Sequence, residues 1–242
     1  MFLTFANSIK LYKNVHFHAT NVNEVINVEK KIKQHKQIFL VANLPKKVKS
    51  AAVNNCQKEI GHLNLISVAR ISPEKNTLYA IQVLAGLKTK GTVQFSLYGT
   101  VYNHDYWAAC NEIIKRLPNN IKVNFLGALM PDEVTYALAK HHFMFMPTQG
   151  ENFGHIILES LSAGTPVIIS DKTPWLNLLD SGIGFDMPLN NQQAFQDLLA
   201  YWVMASQKEY GSFRNKCIQY AASHLNCEKT IANTIEMFNV NY

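Results

Sequence analysis

Phe143-Met144-Phe145-Met146-Pro147-Thr148 is an apolar run, and it leads through Gln149 into Gly150-Glu151-Asn152-Phe153-Gly154-His155-Ile156-Ile157-Leu158-Glu159. The run does not alternate, so it reads as a strand covered on both faces. The turn residues behind it end the strand, and Gly154 is expected to open a helix that closes at Gly164. Another apolar run, Pro166–Asp171, follows. Strand, loop, helix and strand in this order are the repeating unit of a parallel sheet.

Outward from this stretch the pattern repeats. Further strands are expected at Leu63–Arg70, Val93–Gly99, Ile121–Gly127 and Ile183–Met187. Between them lie helical stripes: Leu78, Ile81 and Ala85, then Val134, Leu138 and His141, the latter opened by Pro131 with Asp132 and Glu133 behind it. The tail from about Asn191 reads as helical. The fold class is α/β, a doubly wound parallel sheet over residues 51–242 with C-terminal helices. Residues 1–50 differ. Val15–Thr20 and Gln37–Ala42 read as strands around a basic helix, Glu24–Gln34, and Asn43–Ser50 as a linker. One βαβ unit is too small to bury its own faces, so residues 1–50 are expected to be the tail of a preceding domain plus that linker.

Composition narrows the class. A hydrophobic share of 48% and a charged share of 17% suit a packed globular chain. The formal net charge of +6 suits an anionic small ligand or a peripheral contact with a membrane surface. Dense lysine and arginine stripes with interleaved aromatics are missing, so nucleic acid is not expected as a partner. Cys56, Cys110, Cys217 and Cys227 form no C-x-x-C pair, which predicts free thiols in a reducing, cytosolic setting. No apolar run approaches the ~20 residues of a membrane span, and the N-terminus does not read as a signal peptide.

Two places carry chemistry. Glu151 and Glu159 stand on either side of a loop-to-helix junction at the carboxyl end of a central strand, where open α/β sheets bind ligands. Free N–H groups at that helix start make an anion site without a cationic side chain. The carboxylates are placed to accept polyol hydroxyls on each side of a diphosphate. Taken alone, a loop acid and a helix acid are ordinary surface residues; the setting is what raises them. The other place is Arg70-Ile71-Ser72-Pro73-Glu74-Lys75. Ser72 reads as a helix cap with Pro73 behind it, which puts Lys75 in a first turn, against the helix dipole. A bound anion makes sense of that lysine, and Arg70 with Lys75 is suited to clamp a diphosphate.

In this order, R-x-S-P-E-K at Arg70–Lys75, Leu97-Tyr98-Gly99, Phe125-Leu126-Gly127, E-N-F-G-x(4)-E and S-A-G-T-P-V-I-I-S-D resemble retaining glycosyltransferase family 4 across roughly residues 60–240. The resemblance implies a GT-B fold, two Rossmann-like domains facing a cleft, with this chain holding the C-terminal, donor-binding one. It implies same-face transfer from a nucleoside-diphosphate sugar to an acceptor hydroxyl, with no cofactor and no metal. Arg70 and Lys75 would neutralise the diphosphate and Glu151 would touch the donor sugar; these are the expected catalytic residues. Glu159 would hold the ribose, Phe153, Gly154 and His155 would offer backbone amides, and Gly99, Leu126 and Gly127 would let the nucleotide approach. Asp171–Trp175 resembles a bacterial polysaccharide subgroup, and Trp175 reads equally as a packing residue.

The implied partners are a nucleotide-sugar donor and a glycan or lipid-linked acceptor, in cell-surface polysaccharide or lipopolysaccharide synthesis on the cytoplasmic side. Two departures stand out: most of the family's acceptor domain, with its glycine-rich loop and histidine, has no counterpart, and Thr100-Val101 follows Gly99 where a second glycine is common. The chain is therefore expected to bind nucleoside diphosphates yet transfer poorly, with residues 1–45 self-associating or meeting an acceptor-domain partner. A non-catalytic nucleotide-sugar-binding subunit is the alternative. A nicotinamide enzyme would need G-x-G-x-x-G after the first strand of the sheet, where A-R-I-S-P-E-K stands. His16 and His18 lack a third ligand for a metal, and His141-His142 reads as a helix end whose dipole suits histidine.

Overall fold

The apolar runs become strands. A computed structural model describes residues 2–41, 43, 56–225 and 228–239, and they fall into two units. The larger, residues 47–224, carries β3 (His62–Val68), α3 (Thr77–Ala85), β4 (Thr92–Tyr98), α4 (His104–Ile114), β5 (Ile121–Phe125), α5 (Val134–Ala139), β6 (Phe143–Met146), α6 (His155–Ser162), β7 (Val167–Ser170), α7 (Leu178–Ser181), β8 (Gly184–Met187), α8 (Gln192–Met204) and α9 (Gln207–Leu225, its last residue assigned to the other unit). Its sheet has six strands, all parallel, in the order β5-β4-β3-β6-β7-β8. This is the doubly wound α/β sheet expected. The chain builds outward from β3 to β5, then crosses back to β6 and builds the other way. β3 and β6 therefore flank the topological switch point.

Burial explains the strands. Every residue of β6 and β7 is buried. Phe143 and Phe145 share a face by the two-residue strand period. They join a core with Phe95, Phe195 and Trp202, the Phe143 and Trp202 rings 4.6 Å apart and those of Phe95 and Phe145 5.7 Å apart. Two polar residues anchor the amino-end side of this sheet. Lys58, only 3% exposed, gives its ammonium to the carbonyls of Glu59, Val203 and Ala205, closing the end of α8. His142 accepts from the Asn64 N–H at 2.9 Å on Nδ1, which leaves Nε2–H to donate to the Gln57 carbonyl at 3.0 Å. Burial holds its pKa down, from 6.5 to about 4, with Lys58 and His141 adding to the effect against the Gln57 bond. His142 is thus structural, and its place is explained by hydrogen bonds more than by a helix dipole: it is a neutral clamp between β3 and β6. His141 likewise bonds Ala137 O and Ser96 Oγ and is lowered by burial.

The smaller unit groups residues 1–46 with 225–242. It contains α1 (Phe2–Ser8), β1 (His16–Ala19), α2 (Val22–Lys31), β2 (Gln37–Leu40) and α10 (Glu228–Phe238). β1 and β2 pair in parallel with α2 between them, the expected βαβ unit. α2 starts two residues before Glu24 because Asn21 caps it. Asn21 Oδ1 accepts the Glu24 N–H, and the Glu24 carboxylate reaches back to the Thr20 N–H and hydroxyl. Those Thr20 bonds hold the Glu24 carboxyl below its usual range. The linker expected at Asn43–Ser50 lies outside the described residues apart from Asn43, and so does Cys227. Cys56, Cys110 and Cys217 are free thiols.

The His142 clamp makes a pH prediction. A folded-state pKa below the unfolded one means that the unfolded chain binds the extra proton. The stabilisation is complete above pH 6.5 and is lost as pH falls toward 4. Urea unfolding is expected to show stability dropping by on the order of 2–3 kcal/mol more in wild type than in His142→Gln across that window. Parallel losses in both proteins would show that His142 is not held neutral.

Candidate functional site

The carboxyl ends of β3, β4, β5 and β6 carry the loops that hold the expected site residues, and the loop after β7 braces them. These loops are bonded to one another more than to themselves. The β3 loop meets the β4 loop through Ala69 N–H to Tyr98 O and Ile71 N–H to Thr100 O, both 2.9 Å. It meets the β6 loop through Gln149 N–H to Glu74 O at 2.8 Å, Thr148 Oγ1 to the same carbonyl at 3.0 Å, and Asn76 Nδ2 to Pro147 O at 2.9 Å. The β6 loop meets the β7 loop through Ser170 Oγ to Thr148 O and Trp175 Nε1 to Phe153 O, both 2.5 Å, with Glu151 N–H reaching Lys172 O at 3.3 Å. Thr148 and Ser170 are fully buried. Their hydroxyls supply bonds where the strands no longer pair.

The register explains why such bonds are needed. The β3–β6 ladder joins only Leu65 to Phe143 and Ile66 to Met144, whereas β3 pairs with β4 along its whole length. Past Ile66, β3 and β6 share no ladder, and a crevice is expected between their ends. Across it, the Lys75 ammonium donates to the Glu151 carboxylate as a direct ion pair, the two side chains 20% and 12% exposed. Two residues singled out separately in the sequence are thus each other's partner.

The local structure around Lys75 departs from expectation. Ser72 does not cap α3, and Lys75 is not in its first turn. The Asn76 N–H bonds back to the carbonyls of Ser72 and Pro73, closing an isolated turn, and Asn76 then adopts a left-handed φ of 58°. α3 begins only at Thr77. The cause is the Asn76 side chain, tied to Pro147 across the crevice; asparagine tolerates that conformation better than most residues. The position of Lys75 is explained by Glu151, and the dipole argument falls away. The start of α5 shifts similarly: residues 131–133 form a turn, and the Glu133 carboxylate accepts the Met130 N–H at 2.8 Å ahead of Val134.

The remaining expected residues are placed as follows. Arg70 is exposed and lays its guanidinium over the Tyr102 ring, 5.1 Å from its centroid, instead of joining the ion pair. Glu159 is half-buried on α6, five residues after Gly154, which sets it roughly 7–8 Å along the helix from its cap. Gly154 caps α6 with a φ of 77°, and a Cβ there would lie 2.8 Å from Ile157 Cδ1. The Phe153 and His155 rings meet at a tilt, their centroids 4.6 Å apart, and Phe153 also meets Trp175 edge-on. Trp175, 7% exposed, both packs and fixes the loop through its indole N–H.

Gly99 has a structural reason of its own. Its φ is 143°, and a Cβ would stand 1.9 Å from the Ala69 carbonyl oxygen, so the close approach it permits is that of the β3 loop. Its N–H donates to Gly127 O at 2.8 Å. Gly127, φ 76°, has open space where a Cβ would be, and neighbouring Leu126 is half exposed. Asn76, Thr148, Ser170 and Tyr102 were not legible as site-forming residues; only their polar type at strand ends hinted at it. Among the described residues no group of three His, Cys, Asp or Glu is arranged to hold a metal. A separate cavity of about 690 Å³ lies away from this site, at the amino ends of β4 and β5, against Leu87, Lys88, Lys90 and Met204.

A six-stranded doubly wound parallel sheet flanked by helices is the Rossmann-like architecture of the C-terminal domain of GT-B glycosyltransferases. Residues 57–224 match the family described as glycosyl transferases group 1, and this chain belongs to that family. A stretch of 122 residues is 32% identical to the alpha-monoglucosyldiacylglycerol synthase of Streptococcus pneumoniae (strain ATCC BAA-255 / R6), covering 50% of this chain and 27% of that one. An S. aureus TarM mutant in complex with fondaparinux, alpha-GlcNAc-glycerol and UDP is similar with a TM-score of 0.72 at 16% identity, covering 92% of this chain and 43% of that chain. Anabaena HepE in complex with UDP and glucose is similar with a TM-score of 0.71 at 17% identity, covering 99% of this chain and 66% of that chain. At these identities the structures show the fold alone. The chain spans less than half the length of TarM and about a quarter of the pneumococcal synthase.

The two glycines separate by mechanism. Gly99→Ala is expected to destabilise the chain by more than ~3 kcal/mol, since the backbone of Ala69 blocks the new methyl group. Gly127→Ala meets open space and is expected to cost only the left-handed conformation, about 1–2 kcal/mol. Urea unfolding of both variants checks the order, and equal losses would contradict it.

Proposed function

We propose that this chain binds the donor of a retaining, family 4-like sugar transfer, taking a nucleoside-diphosphate sugar at the β3–β6 crevice. The observation that carries the reading is the Lys75–Glu151 pair beside the start of α6. Glu151 stands three residues before Gly154, so the ammonium it holds and the first-turn amides of α6 belong to one loop-and-helix junction, an arrangement suited to a diphosphate. In this reading Lys75 and the amides at Gly154 and His155 neutralise the diphosphate. They stabilise the charge that grows on it as the bond to the sugar breaks. Arg70 supplies a cation at the rim, over Tyr102. Glu159 accepts the ribose hydroxyls and Glu151 those of the sugar. Phe153 shapes the loop between them, and Gly99, Leu126 and Gly127 border the nucleotide. The acceptor hydroxyl attacks from the face that the diphosphate leaves, and the departing phosphate oxygen takes its proton. This chemistry needs neither a metal nor a cofactor.

The acceptor we infer is lipid-linked or a surface glycan. The pneumococcal synthase, by its name, makes a glucosylated diacylglycerol. Residues 1–46 here carry seven lysines against two glutamates, and Phe2 and Phe5 are 67% and 62% exposed. Such a surface suits a peripheral contact with anionic lipid on the cytoplasmic face. No helix among the described residues is long and apolar enough to cross a membrane. A second reading, nucleotide-sugar binding without transfer, is favoured by the smaller unit, whose described residues form a single βαβ unit. Activity of the isolated chain on a lipid acceptor separates the two; the second reading expects none until an acceptor domain is added in trans.

Titration calorimetry with nucleoside diphosphates tests the site. Glu159→Ala is expected to weaken binding roughly 10- to 150-fold, the worth of hydrogen bonds to a charged acceptor. Lys75→Ala is expected to weaken the diphosphate and leave the bare nucleoside unchanged. Unaltered diphosphate affinity in both folded variants would remove the site from this crevice.

A further inference from the structure

The sequence alone leaves bare diphosphate affinity indifferent to Glu151, because it assigns that residue to the sugar. The structure puts its carboxylate on the Lys75 ammonium. A diphosphate drawn to Lys75 therefore meets a resident anion that already holds the cation. The backbone on both sides of the pair is held in place, which leaves the side chains to move. Lys75 sits in the turn that Asn76 ties to Pro147, and Gln149, two residues before Glu151, is bonded to Glu74 in that same turn. Glu151 is also held by its own N–H on Lys172 O. Both side chains are mostly covered, so water and salt screen them less than a surface pair.

We propose that Glu151 acts as a gate on Lys75 that discriminates the nucleoside-diphosphate sugar from the bare nucleoside diphosphate left after transfer. This rests on the donor-site reading above. The chemistry differs between the two ligands in two ways. A bare diphosphate ends in a phosphate monoester, which loses a second proton near pH ~6 and so carries an extra negative charge at pH 7. In the sugar conjugate that oxygen is esterified and the charge is absent. The conjugate also brings hydroxyl donors, which satisfy the Glu151 carboxylate as it gives up part of its hold on Lys75. Like charges therefore oppose the bare diphosphate at Glu151, and hydrogen bonds favour the conjugate. After transfer the balance reverses: the new terminal charge faces Glu151, the carboxylate retakes Lys75, and the product is expelled. The gate thus serves specificity and release through one carboxylate.

Calorimetry on wild type, Glu151→Gln and Glu151→Asp tests this, with UDP, ADP and GDP each measured against its glucose conjugate at pH 7.5. Glutamine keeps the size and accepting oxygen of the side chain and removes the charge. Glu151→Gln is expected to bind the bare diphosphate about tenfold more tightly than wild type, the effect of deleting one partly screened like charge, and to hold the conjugate no more tightly. Glu151→Asp, which keeps the charge, is expected to retain the wild-type preference. At pH 5.5 the wild-type preference is expected to shrink as the terminal phosphate gains its proton, while the glutamine variant changes little. An unchanged ratio of affinities in Glu151→Gln, with all proteins still binding, overturns the gate and leaves the donor site standing. Failure of all six ligands to bind any of the three proteins overturns both.

Discussion

The seam between β3 and β6 is the constraint on which the rest depends. A parallel sheet that grows first one way and then the other must leave its two starting strands with helices departing to opposite faces, and their ends cannot stay covered. Here the ladder ends after Leu65–Phe143 and Ile66–Met144. What joins the strand ends beyond it is a set of side-chain and loop bonds: Asn76 to Pro147, Thr148 and Gln149 to Glu74, Ser170 to Thr148, and Lys75 to Glu151. The same bonds that close the seam fix the position of the one ion pair within it. Structural need and ligand chemistry therefore fall on the same residues.

The two ends of the sheet are treated differently. At the amino-end side, Lys58 and His142 satisfy carbonyls and an amide inside the fold, and burial pushes the pKa of each down. Their polar groups are committed to packing. At the carboxyl end, Lys75 and Glu151 satisfy each other while keeping some exposure, and the exposed Arg70 lies over the Tyr102 ring. Those are groups that a ligand can recruit. This division suits the proposed donor site, with its chemistry on the carboxyl-end loops and the stability of the fold in the core behind them.

Much of this was legible in the sequence because buried parallel strands are written as unbroken apolar runs. All six strands of the sheet lie where the apolar runs place them, and β3, β5 and β6 end two residues sooner than their runs. Part of the excess has a cause: Ala69 N–H still reaches Tyr98 at the end of β4, whereas the Thr148 N–H turns back on Met146 O and its hydroxyl goes to Glu74 O. The E-x(7)-E stretch was readable because a strand, a loop and a glycine-capped helix frame it. Ser72-Pro73 imitated a helix start and misled, since the deciding bond is made by Asn76 to a residue 71 positions away. The Lys75–Glu151 pair spans 76 positions, and nothing local to either residue announces it. Gly99 has a second need for its missing side chain that no local pattern shows, the close approach of Ala69.

A crystal structure of the chain with a nucleoside-diphosphate sugar bound tests the account most directly. The account predicts the diphosphate against the Lys75 ammonium and the backbone amides at Gly154 and His155, the ribose at Glu159, and the Glu151 carboxylate turned toward the sugar hydroxyls. A diphosphate elsewhere, for instance in the cavity beside Lys88 and Lys90, with Lys75 and Glu151 still joined and untouched, would contradict it.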